Sequence, residues 1–191
     1  MAAPGAGTVP PPVRRRVRVG WPGDWTAPAD PVVNAVCRAA LAALPAAIEV
    51  VPLDLPLTAR TSVTAHVAVL AAEAATALGP LVSDGSTDPR ALALISAGAH
   101  LTGDEVRAAH RQRRRIACEP HTALRSVDVI ATPTVAVTAP PIGATVMPLS
   151  DGRTLRRPDI GDHFTVAANS TGVPAVSLPA ARWTAFPSAS I

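Results

Sequence analysis

The stretch VRVGWPGDWTAPADPVVNAVCRAALAALPAAIEVVPL, residues 17–53, sets the fold class. Residues 17–21 alternate Arg and Val, the period of a short strand. Asp30 and Pro31 then open a helix: the Asp carboxylate can accept from the free amides of the first turn, and proline suits a first helical position, where its missing N–H costs nothing. Val32, Val36, Ala39, Ala40 and Ala43 come next at helical spacing, and Pro45 closes the element. Residues 48–53 alternate again, with Pro52 marking an edge or exit. Strand, helix, strand within so short a span is a βαβ unit, which implies a parallel pair and an α/β architecture.

Further along the chain, residues 63–78 form an Ala-rich helix stopped by Gly79 and Pro80. A polar loop over 83–88 leads to a short helix over 89–97. Thr102 and Glu105 make a capping box for a further helix, which runs to about Cys118 before Pro120 interrupts it. Residues 127–131 read as a buried strand, 132–158 as a proline-rich loop, 164–168 as a helical turn and 175–178 as a closing strand. A loop of that length inside a domain is usually functional or misassigned.

Composition narrows the function classes. The chain has 191 residues, 48% of them hydrophobic and only 3% aromatic, so the core is expected to be aliphatic. All 17 basic residues are arginine, and the formal net charge is +3. That modest excess does not identify a nucleic-acid binder. His110 and the run Arg111, Arg113, Arg114 and Arg115 lie on one helix with no aromatic residues interleaved for base stacking, so a solvated basic face is expected. The alternative, a phosphate-binding stripe shared with residues 14–16, requires salt-dependent binding. Cys37 and Cys118 fit no metal or disulfide spacing and read as reduced, buried small hydrophobes, with a reactive thiol as the alternative. The five histidines show no ligand spacing, and no glycine-rich phosphate loop is present. No metal and no cofactor are therefore expected. Residues 1–16 lack the apolar run of a signal peptide and read as a disordered Pro/Gly/Arg lead-in. The apolar stretch 63–78 reads as too short and too weakly hydrophobic to span a bilayer, which points to a cytoplasmic protein with no membrane partner.

Three segments carry the chemistry: Asp128-Val-Ile-Ala-Thr-Pro-Thr134, Ala139-Pro-Pro-Ile-Gly143, and Phe164-Thr-Val-Ala-Ala-Asn-Ser-Thr-Gly-Val-Pro-Ala175 running on to Pro179. Thr132, Pro133 and Thr134 lie just past the carboxyl end of a strand, where open α/β sheets place ligands, and proline stiffens that turn. Asn169 and Gly172 suit a tight turn, since Asn bonds its own backbone and Gly tolerates positive φ.

In their order and spacing these segments resemble the C-terminal half of the amidase signature family. The upstream Arg18-Val-Gly-Trp21, Asp24-Trp25, Asp30-Pro31 and Ile48-Glu-Val-Val51 are similar to the segment after the catalytic half in that family, as is the basic helix over 104–115. The resemblance covers residues 17–179. It implies part of the amidase-signature α/β/α fold, a mixed β-sheet covered by helices and incomplete in this chain. It also implies hydrolysis of a small-molecule carboxylic amide by a serine nucleophile, a second serine in a cis peptide and a lysine general base, with backbone amides holding the oxyanion. All of these belong to the N-terminal half. No Gly-Gly-Ser-Ser-type run exists here, the nearest being Asp84-Gly-Ser-Thr87, and there is no lysine. No catalytic residue is carried over; Thr132, Pro133, Thr134, Asn169 and Gly172 are the candidate substrate-pocket residues. The expectation is a truncated portion inactive alone, with a non-catalytic subunit completing a split amidase as the alternative. An upstream N-terminal half is the expected partner.

After Pro179 the family places a Gly-Leu-Pro-Val-Gly-type segment, which this sequence lacks. Back-translated into GC-rich codons and read two nucleotides in, the stretch from Arg182 encodes Val-Asp-Gly-Leu-Pro-Val-Gly-Leu. Residues 180–191 are therefore expected to be a frameshifted, non-homologous tail.

Overall fold

The computed structural model describes residues 16–82, 87–156 and 163–181. The expected lead-in and most of the expected tail lie outside these residues, as does most of the loop over 83–88.

Strand β1 (Val17–Pro22) is central, and β2 (Ile48–Leu53) and β3 (Val129–Ile130) lie on either side of it. Both pairings are parallel, with Val17 opposite Ile48 and Val19 opposite Val129. The βαβ reading holds: α2 (Pro31–Ala42) joins β1 to β2, with Pro31 at its first turn and the Asp30 carboxylate accepting from the Val32 amide at 2.8 Å. Residues 19–22 of β1 are buried, as a strand covered on both faces must be. The flanking strands are edges, and Val50 and Val129 are 42% and 48% exposed. The strand expected to be buried over 127–131 is thus shorter and half open; Val127 is buried and Val129 is not.

A short helix α1 (Gly23–Thr26) comes directly after β1. Between β2 and β3 the described residues form α3 (Pro56–Leu78), α4 (Pro89–Ala99) and α5 (Gly103–Ala123). Helix α3 packs against α4 and α5. Its buried residues include Ser62, Ala65, Val69, Ala71 and Ala74. By length and composition Ser62–Leu81 is sufficient to cross a bilayer, against the expectation from sequence. Here it packs against α4 and α5 with 28% of its residues buried.

Helix α5 corrects a second expectation. Its capping box is formed by Thr102 and Glu105, but Pro120 does not end it; the helix continues to Ala123 with Pro120 buried inside. Near this proline the Glu119 carboxylate accepts from the Leu57 and Thr58 amides at 3.0 and 2.7 Å. The N-cap residue of α3, Leu55, offers no side-chain cap, so Glu119 caps α3 from a different helix. Glu119→Ala is expected to cost about 2 kcal/mol, since two charge-assisted bonds at a helix N-terminus are lost together. The check is the urea midpoint, which falls at unchanged slope.

Residues 132–158 are not a structureless loop. A hairpin forms within them from β4 (Val146–Pro148) and β5 (Thr154–Arg156), antiparallel, with Gly152 at φ 85° in its turn. Beyond it α6 (Thr165–Thr171) ends at Gly172, a left-handed cap at φ 74°. The expected closing strand over 175–178 is absent: these residues form no ladder, and Val176 and Leu178 are 80% and 76% exposed. No neighbouring strand among the described residues offers it hydrogen bonds. The sheet of the described residues is parallel, and the antiparallel pair stands apart from it.

The main core cluster joins Trp25, Ala29, Leu55, Ala123, Ala136, Val137, Leu149, Phe164 and Ala167. It is aliphatic as expected, but built around two aromatic rings, Trp25 and Phe164, with centroids 6.1 Å apart. Cys37 is half-buried and Cys118 exposed, both free, so the buried-hydrophobe reading fails for Cys118.

Candidate functional site

The chain leaves β1, crosses through α2 to β2, and returns through α3, α4 and α5 to β3 on the opposite side of β1. The carboxyl ends of β1 and β3 therefore flank a topological switch point, where open α/β sheets form a crevice. Thr132, Pro133 and Thr134 sit there. The Ala131 amide donates to Gly20 O at 2.9 Å, fixing the strand end. A Cβ at Gly20 would lie 2.8 Å from Leu53 Cδ2, so a larger residue there would force that side chain to shift. Pro133 is fully buried, Thr132 half-buried and Thr134 exposed. The Thr134 and Ser177 hydroxyls are 3.1 Å apart, which ties the extended segment after α6 to this turn. The two threonines thus stand on either side of a rigid buried proline.

The next turn is anchored by Asp30. Its backbone amide donates to Ala136 O at 2.8 Å, while its carboxylate accepts from Ser150 N at 3.0 Å and Ser150 Oγ at 2.6 Å. One residue therefore caps α2, holds the turn after Thr134 and ties down the hairpin. From the hairpin Arg153 reaches back to Ala29 O at 3.2 Å while pairing with Asp151 at 2.6 Å. Burial alone would raise the Asp30 pKa, but the bonds from Ser150 and Val32, with Arg153 nearby, outweigh it and hold the carboxyl below its ordinary value. A depressed folded value means that the anion stabilises the fold above the unfolded value, roughly 3.9, and that this contribution is lost as pH falls through the lower folded value. The stability gap between the wild type and Asp30→Asn is expected to be constant above about pH 5 and to shrink below about pH 4. Denaturant titrations across that range read it out; a gap that widens on acidification would contradict the assignment.

Trp25 and His163 clasp each other on the far side of the core. The indole Nε1 donates to His163 O at 3.3 Å, and His163 Nε2 lies 3.0 Å from Trp25 O. His163 also meets the Phe164 ring edge-on at 4.7 Å.

Asn169 and Gly172 lie elsewhere. Gly172 caps α6 and has the positive φ that its residue type foretold. Asn169 does not form the turn; it stands within α6 and lines a cleft of about 290 Å³ with His66, Val69, Leu70, Glu73 and Arg113. The structure thus brings Thr132, Pro133 and Thr134 together at the sheet and assigns Asn169 to a separate cleft. His66, Glu73 and Arg113 were not singled out from the sequence as one site. The available signal was the spacing of His66 and Glu73, two helical turns apart and so on one face of α3. A second cleft, of about 430 Å³, lies between α2 and β2, where Arg38 stacks over the Trp21 ring at 5.1 Å.

Fold, sheet order and the Thr-Pro-Thr turn together define an amidase-type α/β framework. The amidase family model matches residues 11–185, and the chain belongs to that family, as the sequence motifs foretold. It is 34% identical over 122 residues to a fatty acid amide hydrolase of Oryza sativa subsp. indica and 36% identical over 129 residues to one of Medicago truncatula. Each alignment takes in 61% of this chain and 19% of the relative, so the chain spans about a fifth of the length of these curated relatives. Among solved structures it superposes on an amidase with TM-score 0.74 and 25% identity, covering 84% of this chain and 37% of that one. It also superposes on a bacterial aryl acylamidase of the amidase signature enzymes with TM-score 0.69 and 18% identity, covering 90% and 38%, a likeness of fold alone.

Proposed function

We propose that this chain is the C-terminal portion of an amidase that hydrolyses the C–N bond of a small-molecule carboxylic amide, and that it supplies walls of the substrate pocket rather than the reacting groups. The observation that carries this reading is a match to the amidase family across residues 11–185 in a sequence whose 17 basic residues are all arginine. The proposed reaction needs a neutral amine to take the proton of an attacking serine. A guanidinium remains protonated at any working pH and cannot serve. The serine nucleophile, the second serine and the lysine base are therefore contributed by residues outside this sequence, in an N-terminal half.

In this reading Thr132 and Thr134 line the pocket at the switch point and Pro133 fixes their spacing, while Gly172 ends the helix from which Asn169 faces its own, separate cleft. The open edges of β2 and β3 and the exposed Val176 and Leu178 support a missing half that covers them. They equally favour a working subunit of a split enzyme, which differs only in whether the two halves share one polypeptide. The protein is cytoplasmic and acts on neither nucleic acid nor membrane in this reading.

The purified chain is expected to release no ammonia or aniline from simple primary amides and anilides. Combined with a polypeptide bearing the Gly/Ser-rich segment and its lysine, it is expected to gain turnover that disappears when that lysine becomes methionine. Turnover by the chain alone that survives stringent purification would overturn the proposal.

A further inference from the structure

The cleft lined by Asn169 holds two opposite charges that do not neutralise each other. Arg113 on α5 and Glu73 on α3 both face it, yet no ion pair within 4.0 Å joins them. Arg113 is half-buried. Its Nε donates to Ser170 O at 2.7 Å, which docks α6 onto α5, and its two Nη groups have no partner among the described residues. A half-buried guanidinium with free fork donors is arranged for a planar carboxylate. His66 and Asn169 add polar atoms to the same walls, and Val69 and Leu70 form an apolar floor. His66 and Glu73, seven residues apart on α3, are separated by about 10 Å along the helix axis. The cleft is thus elongated, and its volume of about 290 Å³ accepts a molecule of amino-acid size with room for water.

We infer that this cleft binds a small aminocarboxylate, with the carboxylate on Arg113 and the ammonium on Glu73. A zwitterion satisfies both charges without desolvating either against nothing, whereas a molecule carrying one charge leaves the other wall unpaired. Solvent reaches the cleft and Glu73 is exposed, so each charge pair is screened and the affinity is millimolar. The site is separate from the Thr132–Thr134 crevice, and the inference stands whether or not the chain is half of an amidase.

The test uses the full chain and calorimetric or NMR titration with straight-chain aminocarboxylates of two to six carbons. Hexanoate and hexylamine serve as the single-charge controls. One member of the series is expected to bind saturably and at least tenfold more tightly than either control. Glu73→Gln, a change at an exposed position, is expected to bring that aminocarboxylate down to the level of the plain acid. Arg113→Lys keeps the charge but not the fork and is expected to weaken both acids several-fold, with far-UV circular dichroism confirming that α6 is intact. No saturable binding by any member would overturn the assignment. So would an aminocarboxylate bound no better than hexanoate, or unchanged affinity in Glu73→Gln.

Discussion

Gly98→Ala is expected to destabilise the chain by about 3 kcal/mol or more, at the upper end of what overpacking costs. In an ordinary helix interior the same change would stabilise by about 1 kcal/mol, because alanine gives up less backbone entropy than glycine. The sign reverses here because of what the methyl would meet. A Cβ at Gly98 would lie 1.8 Å from Ala71 O and 2.3 Å from Ala71 C, both main-chain atoms of α3. No rotamer can relieve that overlap. Either α4 retreats from α3 along the whole contact or one helix unwinds. Thermal or urea unfolding reads the loss directly. Two companions sharpen the result. Ala71→Gly in the same background restores nothing, since the collision is with a carbonyl and not with the Ala71 methyl. Ala93→Gly, on an exposed position of α4, costs only about 1 kcal/mol. A neutral or stabilised Gly98→Ala would show that the two helices do not approach so closely.

This contact also shows what the sequence could and could not disclose. Gly98 falls just past the helix expected over 89–97, whereas α4 runs on to Ala99, and nothing local says that a second helix lies against it. By contrast, α2 was legible in full, because Asp30, Pro31 and the apolar spacing after them are local signals of local structure. The capping box of α5 was legible for the same reason. Pro120 misled because proline usually ends a helix. In α5 the loss of its one N–H donor does not stop the helix, which runs on to Ala123, and Glu119 beside it caps another helix. The hairpin of β4 and β5 was hidden because three-residue strands show no period and because Pro148 argued against pairing. The strand expected over 175–178 fails for the opposite reason: its residues have strand character, but a strand needs a neighbour, and none is offered among the described residues.

The candidate site divides along the same line. The Thr-Pro-Thr turn was legible as the end of a strand, and its place at the switch point comes from a strand order that only the fold supplies. Asp30 was legible as a helix cap, but its bonds to Ser150 span 120 residues and have no local trace. The cleft of His66, Glu73, Arg113 and Asn169 draws on three helices, so residue type alone could not unite it. Asn169 was chosen for turn chemistry and turns out to face that cleft from within a helix.

Trp25→Ala is expected to cost about 3–5 kcal/mol, the range for emptying an aromatic site in a core. Trp25 is only 4% exposed and belongs to the main core cluster with Leu55, Ala136, Leu149 and Phe164. These side chains come from segments far apart in sequence, so the ring is where the start of the chain, the Thr-Pro-Thr loop, the hairpin and α6 are held together. Its removal also frees His163 O from the indole N–H and leaves the Phe164 ring with His163 alone of its two ring neighbours. In an aliphatic core few other large side chains stand near enough to fill the void, so collapse recovers little. Against a total stability of about 5–15 kcal/mol for a domain, the variant is near its unfolding threshold at room temperature. Trp25→Phe separates the contributions: it keeps most of the packing and loses the bond to His163 O, so a loss of about 1–2 kcal/mol is expected. Equal losses in the two variants would mean that the hydrogen bond, and not the ring volume, holds this junction closed. The expected order, Ala well below Phe, places the energy in the packing that aligns the loop after β3 with the rest of the sheet.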